Sequence, residues 1–270
     1  MVSQKECKHI ECSEESFFGS DFCKFHHYGG VIGNGETYEQ YQVIEKDFID
    51  FIRIVPISEK KNLDVYSPVL RDIIIRTCVQ IELFFKEWSK YECSYDNESN
   101  LSKKYKEIDK RTSQPKGAKN WNFVDYFVIK EKYLKSKLLH VRELNINIDP
   151  FELWNDEKNL PEWWKAYNAI KHDGINSKTR VTLKNALDSL LALFSLHCNN
   201  RYSRNYLEEF SQVIISKNFD KLNVKLNLIT TPLDTKKYLF KDVYSSYGSG
   251  ISIEKSSENR DRRNLKSNNV

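Results

Sequence analysis

The chain has 270 residues, 40% hydrophobic and 13% aromatic, with 42 Lys and Arg against 38 Asp and Glu for a formal charge of +4. That is enough apolar material for one sizeable core with small appendages, and the mildly basic balance permits a nucleic-acid partner without requiring one. The longest apolar run, residues 190–196, is too short for a membrane span, the first dozen residues lack a signal-type hydrophobic stretch, and the cysteine pattern is no disulfide framework, so a reducing cytoplasm and no membrane are expected.

Residues 1–27 hold Cys7, Cys12, Cys23 and His26 in the pattern Cys-x4-Cys-x10-Cys-x2-His. Two close pairs of soft ligands joined by a short loop suit a tetrahedral Zn²⁺, because each pair folds back as one knuckle. A segment this short and this poor in apolar residues needs such a cross-link to hold a fold. His27 is the alternative fourth ligand and His9 a more distant one, while Gly19 stands where the loop must return. Four protein ligands close the coordination sphere, so the expected zinc is structural. Glu6, Glu11, Glu14, Glu15 and Asp21 outnumber Lys5, Lys8 and Lys24, which favours docking to a partner protein over contact with phosphate. The module resembles the short Cys-Cys-Cys-His zinc knuckles of some bacterial and phage DNA-associated proteins, including proteins with HNH nuclease domains, although the chain lacks an HNH core. Residues 28–36, YGGVIGNGE, carry four of the nine glycines and predict a hinge.

Residues 38–57 are apolar and aromatic without a decisive period, so helix and strand both remain open. Residues 67–91 predict a helix: Ser67 is a good N-cap, Pro68 suits the first position, and no Gly or Pro follows. Arg71, Ile75, Cys78 and Glu82 fall on one stripe of that helix. The two charges read as a partly buried ion pair, as ends snorkelling to water, or as an Arg71 aimed at a site elsewhere. Residues 94–120 are lysine-rich with Pro115 and Gly117, and predict a long connector with a solvated charge run. Residues 122–134 predict a helix, and the alternation from Leu144 onward predicts a short strand.

Residues 161–174, PEWWKAYNAIKHDG, predict a short helix, with Asn159 and Glu162 spaced as a capping box, Pro161 in the first turn and Gly174 as the stop. Trp163, Ala166 and Ile170 form one apolar stripe; Trp164, Asn168, Lys171 and His172 form the adjacent edge. That edge ends in an imidazole, an ammonium and a carboxamide within one turn, which either caps and solubilises the helix or does chemistry. Residues 179–198 predict a second helix with Leu183, Leu187, Leu190, Leu191 and Phe194 on one face, packed antiparallel to the helix from Ser67. His197 continues that face and reads as a packed core histidine.

A polar helix end with Asn and His, a turn, and then the amphipathic TLKNALDSLLALFSLH resembles the second half of HEPN domains. WWKAYNAIKH is also similar to uncharacterised bacterial proteins with HEPN-like helices, and the similarity spans roughly residues 67–200. The resemblance implies an all-α, often dimeric domain over residues 37–209, many of whose members are metal-independent endoribonucleases with an Arg-x4–6-His motif. Asn168 and His172 fall on the family's Asn and His positions, and Tyr167 falls where the family usually carries Arg. In that reading His172 is the acid or base, Asn168 holds a phosphate oxygen or orients the imidazole, Lys171 offers charge, and Arg71 is the reserve cation. A homodimer acting on RNA, as a toxin or anti-phage defence effector, is implied. The alternative is a catalytically inactive HEPN-like binding or dimerisation module whose knuckle docks protein or nucleic acid; a DNA-associated regulator is a third reading. Residues 210–244 predict a small β element, and residues 245–270, with Arg260, Arg262 and Arg263, a disordered tail. The expected fold is mainly α: a HEPN-like bundle with an N-terminal zinc knuckle and a small C-terminal β element.

Overall fold

The computed structural model describes residues 5–10, 12–16, 20–27, 29–33, 35–134, 139–141, 144, 146–156, 158–172, 176–200 and 229–230, and over these the chain is mainly helical. In chain order the helices are α1 (Lys24–His27), α2 (Glu36–Ile52), α3 (Pro68–Tyr95), α4 (Asn100–Lys106), α5 (Phe127–Tyr133), α6 (Glu162–His172) and α7 (Leu183–Asn199). Among the described residues no helix is long and apolar enough to cross a membrane.

Local chemistry sets the helix starts. The Ser67 side chain accepts from the Val69 amide at 3.2 Å, and Pro68 occupies the first turn of α3, where a missing N–H costs nothing. Thr182 does the same for α7, accepting from the Asn185 amide at 3.2 Å, three residues after the expected start at Thr179. The capping box expected for α6 does not form: Asn159 Nδ2 donates to Asp156 Oδ2 at 2.7 Å, and Glu162 Oε1 instead accepts from Lys165 at 2.6 Å. The Pro161 carbonyl takes the first amides of α6. The ambiguous stretch after the glycines is helix α2, because Tyr38, Tyr41, Ile44 and Phe48 recur on one buried face.

α2, α3, α6 and α7 pack on one another, and α7 is their centre. Nearly every residue of α7 is buried, including Leu187, Leu190, Leu191 and Leu193 and with them the polar Asp188, Ser189, Ser195 and His197, because other elements pack on it from several sides. Leu187, Leu190 and Phe194 are buried, as are Ile74 and Cys78 of α3, but the two helices run in the same direction rather than antiparallel. Both start at the antiparallel bridge between Tyr66 and Thr182, and near their far ends Phe84 meets His197 with ring centroids 4.8 Å apart. The reason lies in α6. It runs back along α3, with Tyr167 reaching Glu82 at its middle and Lys171 acting on Cys78 towards its end, so the short turn into α7 restores the direction of α3. α2 runs opposite to α7, with Tyr38 beside His197 and Tyr41 beside Phe194.

The long connector is more ordered than its lysines suggested. α3 continues to Tyr95, Ser99 caps α4 by accepting from the Ser102 amide at 3.1 Å, and Trp121 Nε1 donates to the Leu101 carbonyl at 3.1 Å. A 3-10 turn at Phe123–Tyr126 precedes α5, where a continuous helix was expected. Lys130 of α5 is buried and donates to the Trp154 carbonyl at 2.6 Å. Strand β1 (Leu139–Val141) pairs antiparallel with β2 (Ile146–Ile148), where a strand was expected, and with β3 (Ile229–Thr230). β3 is the described part of the β element expected at residues 210–244. The rest of that element and the tail at 245–270 lie outside the described residues, as do Glu11, Gly19 and Gly174.

Candidate functional site

Backbone pairing builds the N-terminal module. The Cys7 amide donates to the Glu14 carbonyl at 2.9 Å, Ser16 to Lys5 at 2.7 Å, and Lys8 to Asp21 at 2.8 Å, which folds the first two cysteines against the segment before the third. α1 then places His26 three residues after Cys23, on the same helix face. The donor atoms of Cys7, Cys12, Cys23 and His26 all lie within 4.8 Å of one another. Cys12 Sγ is 3.8 Å from Cys23 Sγ, while His26 Nδ1 is 3.2 Å from Cys23 Sγ and 3.5 Å from Cys7 Sγ.

Those distances can be compared with a coordination polyhedron. Bonds of about 2.3 Å to sulfur and about 2.0–2.1 Å to nitrogen give tetrahedral edges of about 3.8 Å (S···S) and about 3.6 Å (S···N). The 3.8 and 3.5 Å spacings lie close to these edges and the 3.2 Å one is shorter, so the four residues could bind a metal ion after a small adjustment. The chemistry of the set agrees. Burial and the adjoining Cys7 and Cys23 thiols push the Cys12 thiol up to about 11, so Cys12 stays protonated near neutral pH unless a cation stabilises its thiolate. His26 is lowered by burial and by the Lys90 charge, which favours the neutral imidazole that a metal needs.

The other two histidines are accounted for. His27 is exposed, with Nδ1 3.0 Å from the Ser20 hydroxyl. His9 is buried, directs Nδ1 to the Ile10 carbonyl at 2.8 Å and stacks on the His26 ring with centroids 3.7 Å apart. The module also rests on α3. The Tyr91 hydroxyl donates to the His26 carbonyl at 2.6 Å, Phe22 sets its edge on Tyr91 and Tyr95, and His9 Nε2 is 3.9 Å from Glu87 Oε2. Where glycines predicted a hinge, residues Gly30–Gly33 form a 3-10 turn with Gly30 and Ile32 buried. Sequence reasoning missed Glu87, Tyr91 and Tyr95. Their signal was an i, i+4, i+8 row at the otherwise polar end of α3.

Further along the chain, α6 buries Trp163, Ala166 and Ile170 as its stripe predicted. Trp164 does not belong to the polar edge. It is buried, stacked on Phe123 with centroids 3.7 Å apart, because the turn before α5 folds over it. Asn168 is half-buried, and Lys171 and His172 are exposed side by side. Tyr167 is buried and donates to Glu82 Oε2 at 3.4 Å, and burial together with that carboxylate raises its phenol. Lys171 Nζ lies 4.9 Å from the Tyr167 ring centroid. Glu82 is thus taken by a tyrosine rather than by Arg71, which stands three turns away on the same helix, about 16 Å of rise. Arg71 is half-buried with Nε unpartnered, and among the described residues no hydrogen bond or ion pair joins it to Asn168, Lys171 or His172. His197 is fully buried among Tyr38, Tyr41 and Phe84, the packed core histidine expected, and burial lowers it to about 3. Comparison with family models, curated proteins and solved structures gives no match for this chain.

Proposed function

We propose that the chain is a HEPN-like helical protein with a structural zinc centre on Cys7, Cys12, Cys23 and His26, and that the end of α6 is a metal-independent endoribonuclease site. Three sulfurs and an imidazole at tetrahedral spacing favour Zn²⁺ over harder cations, which prefer oxygen. The observation that carries the RNA reading is the solvent-open pair Lys171–His172, one turn from half-buried Asn168, in the last turn of a helix that packed aromatics hold rigid. There the imidazole moves the proton of the 2′-hydroxyl or of the leaving oxygen, Asn168 orients it or a phosphate oxygen, and the Lys171 ammonium meets the charge that builds on the phosphorane. Arg71 is the further cation, and a second copy of the chain faces the first across the edge. A toxin or anti-phage defence effector would use such an activity.

One observation favours the second reading, a non-catalytic HEPN-like binding or dimerisation module. Tyr167 stands where the family carries its Arg, and its hydroxyl is committed to Glu82. The two readings separate on His172→Ala, a change at an exposed residue that leaves the fold intact. Under the first, wild type degrades mixed RNA in the presence of EDTA with the zinc retained, impairs growth when expressed, and loses both effects in the variant. Equal RNA integrity and equal growth for the two proteins leaves the binding module standing.

A further inference from the structure

The surroundings of the metal centre carry a consequence beyond its own stability. Among the described residues, several contacts that seat the module on α3 are made by a donor residue or by a close neighbour of one. His26 accepts from the Tyr91 hydroxyl through its carbonyl while its Nδ1 faces the sulfurs. His9, two residues after Cys7, lies edge-on to Tyr91 with centroids 4.8 Å apart and faces buried Glu87. Phe22, next to Cys23, is buried against Tyr91 and Tyr95 with centroids 5.4 and 5.7 Å away. Gly30 follows in a left-handed conformation, φ 59°, and a Cβ there would lie 3.3 Å from His26 Cδ2 and 3.6 Å from both Glu87 Oε2 and the Tyr91 hydroxyl. The chain leaving the centre therefore lies close on α3, where a side chain would need the His26 ring to give by a few tenths of an ångström and would be strained by the left-handed backbone.

We infer that the centre is a metal-operated clamp on the second half of α3, so that metal occupancy and the order of residues 87–95 form one coupled equilibrium. This rests on the four residues binding metal, the reading given above. An ion on Cys7, Cys12, Cys23 and His26 adds a cross-link to the backbone bonds from Lys8 to Asp21 and from His27 to Cys23 that keep His9, Phe22 and the His26 carbonyl in register, so its loss loosens the acceptor of Tyr91. Glu82, which receives Tyr167 of α6, is little more than one turn back along the same helix. The clamp thus reaches the polar edge of α6 through one rigid element. Coupling is reciprocal: metal favours the ordered α3 by the same factor by which the ordered α3 favours metal, so a change in α3 that loosens the clamp weakens metal binding without touching a donor atom.

The test uses the full chain as wild type, Tyr91→Phe and Gly30→Ala, with Zn²⁺ and Co²⁺ as the probes. Zn²⁺ affinity is read by chelator competition, Co²⁺ coordination by its visible absorption, and α3 by hydrogen exchange with and without metal. Tyr91→Phe removes one hydrogen bond and keeps the ring, so Zn²⁺ affinity should fall about five- to tenfold while the Co²⁺ spectrum stays tetrahedral. Gly30→Ala should weaken binding in the same sense. In wild type, metal removal should speed exchange across residues 87–95 at least tenfold and leave α7 protected. A protein that binds metal with unchanged affinity in both variants, or whose residues 87–95 exchange equally with and without metal, overturns the clamp alone. A wild type that takes up neither ion overturns the clamp together with the metal reading beneath it.

Discussion

His197 offers a quantitative test of the core, with pH as the perturbation. The ring is fully buried on α7, and neither nitrogen has a partner among the described residues. In the folded protein it stays neutral down to about 3, whereas an unfolded histidine takes a proton below about 6.5. Between those values the unfolded chain binds the extra proton, so stability rises with pH and is lost on acidification. The loss between pH 7 and pH 5 is RT ln(1 + 10^1.5) less the small term already present at pH 7, about 1.9 kcal/mol. In a chain of this size that is roughly 4–8 °C of melting temperature. Tyr38 does not compensate, since burial and Glu45 push its phenol up to about 12 and keep it neutral throughout. Other groups of the chain also take up protons in acid, so the informative quantity is a difference between proteins. Wild type and His197→Phe should be unfolded in urea at pH 7, 6 and 5, and the variant should gain about 1.9 kcal/mol on wild type across that range. Parallel losses in the two proteins would refute a neutral, buried His197.

Leu190→Ala removes a fully buried side chain from the centre of the bundle and should cost about 2–5 kcal/mol in denaturant unfolding; a cost near zero would mean α7 is not the core. Cys12→Ser should lose the metal and release residues 5–27, while α7 keeps its protection. Elemental analysis showing full metal content in that variant would sink the proposed ligand set.

The parts of the fold legible in the sequence are those decided locally. Ser67 and Pro68 announce α3 because a cap and a first-turn proline act within one turn. The four donor residues were readable because each knuckle closes over a few positions, and His26 prevails over His27 because its Nδ1 lies 3.2 Å from Cys23 Sγ, while His27 is exposed and turned to Ser20. What the sequence hid depends on distant partners. Trp164 looked like part of a polar edge because the ring that covers it, Phe123, arrives from the far side of the β1–β2 hairpin. The parallel course of α3 and α7 follows from the reversal supplied by α6, which no periodicity records. The seating of the module on α3 was masked by glycines that read as a flexible joint, although at Gly30 the missing side chain serves close approach.

The central position of α7 has a consequence for how the protein is made. α3 is complete at Tyr95, but the helix that covers Ile74, Cys78 and Ile81 ends at Asn199. At ribosomal rates of about 5–20 residues per second, that interval lasts roughly 5–20 s. During it α4, α5 and α6 reach α3, but the faces of α2 and α3 that carry Tyr41 and Phe84 still lack Phe194 and His197 of α7. The nascent chain therefore carries an open apolar trough while about 100 residues are made, closed only when one of its last described helices drops into place. Its yield in the cell is set by what occupies that trough first, α7 or a chaperone on one side and another nascent chain on the other.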